Sequence, residues 1–235
     1  MTKRGSLAVL GALTLLAGLG FGALGVWQLE RLGAKSALVA AIGERIAAEP
    51  ADPSLDGTWE KYDPERDEYR RVMLRGRFSH AAETLVQAVT AHGGGFWVLT
   101  PLLLEDGRSV LVNRGFVPPD RREPGTRPAP GGEVSISGYL RRSEPDGGFL
   151  RGNDPVGERW YSRDVQAIAE DKGIADAAPF FVDADRGAPG TYPIGGLTVL
   201  SFSNNHLSYA LTWFALAVMV VGGFGYLVWE GRQAK

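Results

Sequence analysis

The stretch SNNHLSYALTWFALAVMVVGGFGYLVWEGR, residues 203–232, opens on a polar run with one histidine and passes straight into an apolar segment. From about Leu207 to Trp229 it carries no charge. At 1.5 Å per residue a helix of that length reaches about 33 Å, enough to cross a hydrocarbon core of about 30 Å. Tyr209 and Trp213 near its start and Tyr226 and Trp229 near its end are placed as interfacial aromatic belts. His206 therefore falls where water meets lipid, and the other two histidines, His80 and His92, lie far away in sequence.

Working back to the N-terminus, SLAVLGALTLLAGLGFGALGVW, residues 6–27, is equally long and uncharged. A cleaved signal peptide is the competing reading, since Lys3 and Arg4 form a basic start. Its apolar run exceeds the usual ~7–15 residues and ends in Trp27 and Gln28 instead of a small-residue cleavage site, so an uncleaved span is expected. Basic residues at both ends (Lys3, Arg4, Arg232, Lys235) place both termini in the cytoplasm, with the intervening segment in the periplasm or its organellar equivalent. The glycines of GLGFG (Gly18, Gly20, Gly22) and GGFG (Gly222, Gly223, Gly225) read either as a packing seam or as the ordinary glycine content of membrane helices.

The mean hydropathy of −0.09 averages these two ends with a polar middle. There, KSALVAAIGERIAAE predicts a juxtamembrane helix stopping at Pro50, followed by a Pro/Asp/Gly linker. Short β-type runs follow: YRRVMLRGRF, ETLVQAV, GGFWVLTPLLL, SVLVNRGFV, VSISGYLR and PFFVDA, with GLTVLSF leading back to the membrane. Asp106-Gly107 marks a hairpin, and a helix is expected with Ser162 as N-cap, Asp164 in its first turn and Gly173 past its end. The expected fold is a membrane protein with two transmembrane α-helices flanking a mainly antiparallel, barrel-like β domain with minor helices. Its segments are a cytoplasmic start (1–5), first span (6–28), juxtamembrane helix and linker (29–63), β domain (64–203), second span (204–229) and cytoplasmic end (230–235).

A net charge of −2 argues against a nucleic-acid partner, and the absence of cysteine removes disulfides, thiolate nucleophiles and Cys-bound metals. There is no G-x-S-x-G and no H-E-x-x-H, and the GGG at 93–95 lacks the rest of a phosphate loop and reads as a hairpin tip. No catalytic residues are assigned. Alternating arginines in YRRVMLRGR and VNRGFVPPDRRE read first as a solvated strand face. The alternative gathers some of them, Arg114 foremost, around an anionic ligand. His206, Tyr209 or Ala210, and Trp213 line one helix face at the outer membrane edge, with Trp27 and Gln28 at the same depth on the first span and Arg31 just beyond them. That face suits a flat aromatic ligand with His206 as an axial metal ligand, although an interfacial histidine bonded to the opposite helix explains the spacing more simply.

These residues carry a resemblance. Gly25, Trp27, Gln28, Arg31 and Lys35, then YRRVMLRGRF, GFWVLTPL, VLVNRGFVP, SGYLRRSE, RWYSRD and NNHLSYALTWFALA, follow one another as in the Surfeit locus protein family of cytochrome c oxidase assembly factors. Phe116 stands where that family often has Trp after NRG. The resemblance implies that the chain is not an enzyme but an assembly factor that binds haem a and assists its insertion into subunit I of a haem-copper oxidase. His206 is the residue it points to as haem ligand, with Trp27, Gln28, Arg31, Tyr209, Trp213 and Arg114 around the haem. Subunit I, haem a synthase and the lipid bilayer are the partners it suggests, in a bacterial inner membrane or the mitochondrial one. The rival is a structural chaperone of an oxidase subunit that never touches haem.

Overall fold

The computed structural model describes residues 3–148 and 150–233; the side chains of Lys3 and Arg4, and all of Lys235, on which the orientation was argued, lie outside the described residues. The chain divides into a helical unit (residues up to Ala41 and from Ser201 on) and a β unit, Ile42–Leu200.

The first helix, α1 (Lys3–Ala47), runs without a break through the expected span and the expected juxtamembrane helix. SALVAAIGERIAA holds enough strong helix formers to carry α1 past Gly33 up to the stop before Pro50. The last helix, α4 (His206–Gln233), is the second one long and apolar enough to cross a membrane. The two pair antiparallel through a seam the sequence only half disclosed. Gly11, Gly18 and Gly25, each seven residues from the next, lie against Phe224, Val221 and Phe214, and a Cβ on any of them would collide with that side chain. Gly20, Gly22, Gly222, Gly223 and Gly225 meet nothing, because two helical turns return to one face whereas clustered glycines point around the axis. Phe21 stacks on Trp213 at 5.7 Å between ring centres. Thr14 and Thr212 donate their hydroxyls to the carbonyls of Leu10 and Ser208 in their own helices, leaving no polar hydrogen for an apolar surround to strand.

The β unit begins with the linker, which is more ordered than its composition suggests. Trp59 and Tyr62 pack on Phe180, and a short helix α2 (Pro64–Asp67), N-capped by Asp63, leads into the sheet. Six strands follow: β1 (Arg71–Phe78), β2 (Thr84–Thr90), β3 (Gly93–Leu104), β4 (Ser109–Val117), β5 (Val134–Arg142) and β6 (Ala177–Ala184). Their order is β1-β5-β6-β4-β3-β2, and β3 also pairs with β1, so five strands close into a barrel with β2 attached outside on β3. β3 serves three neighbours by bending where its register on β4 shifts between Trp97 and Leu99. All pairings are antiparallel except β4 with β6.

Alternation fills the barrel with Val72, Leu74, Leu102, Val110, Val112, Leu140, Phe180 and Val182. The opposite faces of β4 and β6 are covered in turn: Leu111 and Phe181 join Val86, Leu99 and Trp160 beneath helix α3 (Val165–Lys172). That explains why SVLVNRGFV is buried along nearly its whole length instead of alternating.

Three local expectations change. The N-cap of α3 is Asp164, which accepts from the Ala167 amide, while Ser162 accepts from the Gly147 amide and Asn153. The glycines at 93–95 lie within the β2–β3 ladder, and the tip itself is Ala91-His92. GLTVLSF forms no strand. The Asp106-Gly107 hairpin joins β3 to β4 as expected, with Gly107 at φ +88°.

Candidate functional site

At the start of α4 the chain enters the helix through two asparagines. Asn204 donates from Nδ2 to Ser36 Oγ at 3.1 Å and to the Leu32 carbonyl at 3.4 Å, which fixes the approach of the second helix to the first. Two residues on, His206 Nδ1 lies 2.7 Å from Gln28 Oε1. An amide oxygen only accepts, so Nδ1 is the donor of this bond and Nε2 takes no part in it. No described residue bonds to Nε2.

Around this pair, Trp27 and Tyr209 are each about half exposed, at 49% and 57%. The Arg31 guanidinium lies 6.0 Å from the Trp27 ring centre and has no ion-pair partner among the described residues. Trp213 lies two turns deeper on α4, held against Phe21. The structure thus joins His206 to Gln28 and Arg31 to Trp27, and it sets Trp213 in the helix seam. What the ensemble offers among the described residues is one imidazole nitrogen without a partner, exposed flat rings and one cation without an ion pair.

Arg114 belongs to the β unit and already has partners. Its Nη1 lies 3.3 Å from Glu83, its Nη2 donates to the Pro128 carbonyl at 2.7 Å, and its guanidinium covers the Phe78 ring. Glu83 also accepts from Arg127, and Thr100 donates to it at 3.1 Å. Burial pulls Arg114 below the usual arginine value, against the opposing charge of Glu83. Arg75 and Arg77, by contrast, are exposed on a strand whose Val72 and Leu74 point inward, the solvated face the alternation suggests.

A second polar centre went unread in the sequence. Asp183, at the end of β6 and 5% exposed, accepts from Asn113 Nδ2 at 2.7 Å, Arg141 Nη1 at 3.0 Å, Arg163 Nη1 at 3.2 Å and Thr198 Oγ1 at 3.0 Å. Arg163 turns its other edge to Glu144, and Arg141 its other edge to Glu68. Asp183, Asn113, Arg141 and Arg163 border a cavity of about 200 Å³ with Trp97, Tyr69 and residues 195–199. The arginines of SGYLRRSE and RWYSRD were the available signal, but nothing in one sequence pairs them with an aspartate in PFFVDA.

This network sets an acid limit on the fold. Burial alone would raise the Glu144 carboxyl, but its Arg163 hydrogen bonds at 3.0 and 2.5 Å, with the guanidinium charge, hold it below the usual carboxylate value. Burial is likewise outweighed at Asp56, by hydrogen bonds from Thr58 and then Arg70, and at Asp67, by those from Arg66 and the Asp63 amide. Carboxyls depressed in the folded state add stability that is fully present above their unfolded values, near pH 4, and that disappears as pH falls through the lower folded values. In acid titration of the full chain in detergent, followed by tryptophan fluorescence, these groups are expected to cause no loss above about pH 5 and progressive unfolding below about pH 4.

Among the described residues there is no group of three or more His, Cys, Asp or Glu side chains placed to hold a metal ion. A metal here would be held by His206 alone among the described residues.

A family model described as the SURF1 family matches residues 15–218. The Surfeit locus protein 1 of Mus musculus is 37% identical over 224 residues, covering 87% of this chain and 70% of the mouse protein. That of Homo sapiens is 36% identical over 215 residues, 83% of this chain and 69% of the human protein. The SURF1-like protein of Monosiga brevicollis is 33% identical over 224 residues, 88% and 83% of the respective chains.

Proposed function

We propose, from the premise that the chain belongs to the SURF1 family, that it is an assembly factor for a haem-copper cytochrome c oxidase which binds haem a and assists its insertion into subunit I. The observation that carries this is the hydrogen bond between His206 Nδ1 and Gln28, which orients the ring and leaves Nε2 without a partner among the described residues. Metal-bound histidines characteristically have their other ring nitrogen tied to an acceptor in this way. Haem a supplies, when bound, an iron that takes an imidazole nitrogen.

The chain's own residues fit such a group. Gln28 orients the ring, Trp27 and Tyr209 offer apolar faces at the site's edge, and Arg31 is an unpaired cation suited to a carboxylate. Arg114, committed to Glu83 and Pro128, is given no part in this. A single protein ligand on an exposed face favours temporary holding over permanent storage. The antiparallel pairing of α1 and α4 supports a topology with both termini on one side; the basic residues near both ends make that side the cytoplasm and the opposite side, with the central domain, the periplasm, or the corresponding sides of the mitochondrial inner membrane. Haem a synthase is the expected source of the haem.

Capture of the tagged full chain from cells assembling an aa3-type oxidase tests this reading. Subunit I and haem a should both be recovered with it. Subunit I without haem would favour a purely structural chaperone, and recovery of neither would remove the assembly role.

A further inference from the structure

We infer that Gln28 is a positioning residue that keeps His206's grip on its ligand weak enough for release. This rests on the reading of His206 as an axial ligand. The acceptor on Nδ1 in a metal-bound histidine fixes the tautomer and also sets how basic the opposite nitrogen becomes. A carboxylate there draws the Nδ1 proton and pushes electron density onto Nε2. A neutral amide oxygen fixes the same geometry with less push.

Here the acceptor is Gln28 Oε1 at 2.7 Å, and no carboxylate oxygen is hydrogen-bonded to the ring. Gln28 and His206 are each half-buried, so solvent does not simply substitute for the amide. The backbone beneath the ring is secured independently by Asn204 on Ser36 and Leu32. The side chain at position 28 can therefore change the ring's electronics without changing how the two helices meet. A residue that orients a ligand while keeping it a modest donor suits a site that must surrender what it holds.

The test uses the full chain in detergent, loaded with purified haem a, as wild type, Gln28→Glu and Gln28→Leu. Gln28→Glu is expected to lower the reduction potential of the bound haem and slow its loss to an apomyoglobin trap about 10-fold or more; Gln28→Leu is expected to weaken binding by about 10–100-fold. A readout independent of haem comes from ¹⁵N-histidine labelling of the haem-free protein, practical because the chain has only 3 histidines. Wild type should show His206 as the Nδ1–H tautomer, and Gln28→Leu should lose that preference. A wild-type Nε2–H tautomer, or equal potentials and release rates in all three proteins while haem is bound, would overturn the role of Gln28. Failure of wild type to bind haem at all would overturn the parent reading, and this one with it.

Discussion

Replacing His206 by Ala is expected to reduce the haem a content of the purified chain to background while the protein still inserts into the membrane and folds. The substitution removes His206 Nε2, which no described residue engages. It also removes the hydrogen bond to Gln28, worth only about 1 kcal/mol net in a partly exposed setting. The contacts that hold α1 to α4 lie elsewhere: the seam at Gly11, Gly18 and Gly25, the Phe21–Trp213 stack and the Asn204 bonds to α1. Membrane extraction, circular dichroism and pyridine haemochrome assay on parallel preparations check both halves. Full haem content in His206→Ala would remove the ligand assignment.

The second large effect is on stability. Asp183→Ala should destabilise the β unit by about 3 kcal/mol, the lower end of the range for breaking a buried charge pair, because Arg141 and Arg163 keep Glu68 and Glu144. What it strands is the inner edge of both guanidiniums, the Asn113 amide and the Thr198 hydroxyl, all of which converge on that carboxylate. In a unit of this size the loss corresponds to a drop of about 6–12 °C in the unfolding midpoint. Asp183→Asn keeps the shape but turns donors toward donors and should fall between. Thermal denaturation of the full chain in detergent, followed through Trp97 and Trp160, measures this. An unchanged midpoint would mean that the arginines find solvent or other partners without cost.

Six strands were legible within two residues of their ends because each carries a β-type apolar run, and α3 was legible from its apolar spacing and Gly173. The β4–β6 parallel pairing was not, since both strands are buried on two faces and an apolar run names no neighbour. GLTVLSF misled for a related reason: its Val and Thr favour strands, yet Thr198 is spent on Asp183 and Leu197 and Val199 border the cavity. At the membrane, equal depth placed Gln28 opposite His206 across 178 residues, but only coordinates could show which ring nitrogen is engaged. Arg114 shows the reverse limit. Its position at a strand end suggested an anion, and the structure supplies one from within, Glu83, a residue 31 positions away.

The central claim is that this chain carries haem a. The most direct test is the absorption spectrum of wild-type protein purified in detergent from cells that make haem a, compared with His206→Ala prepared identically. The account predicts a haem a band in the wild type that is absent from the variant. A wild-type protein with no haem, under conditions where it still captures subunit I, would contradict it.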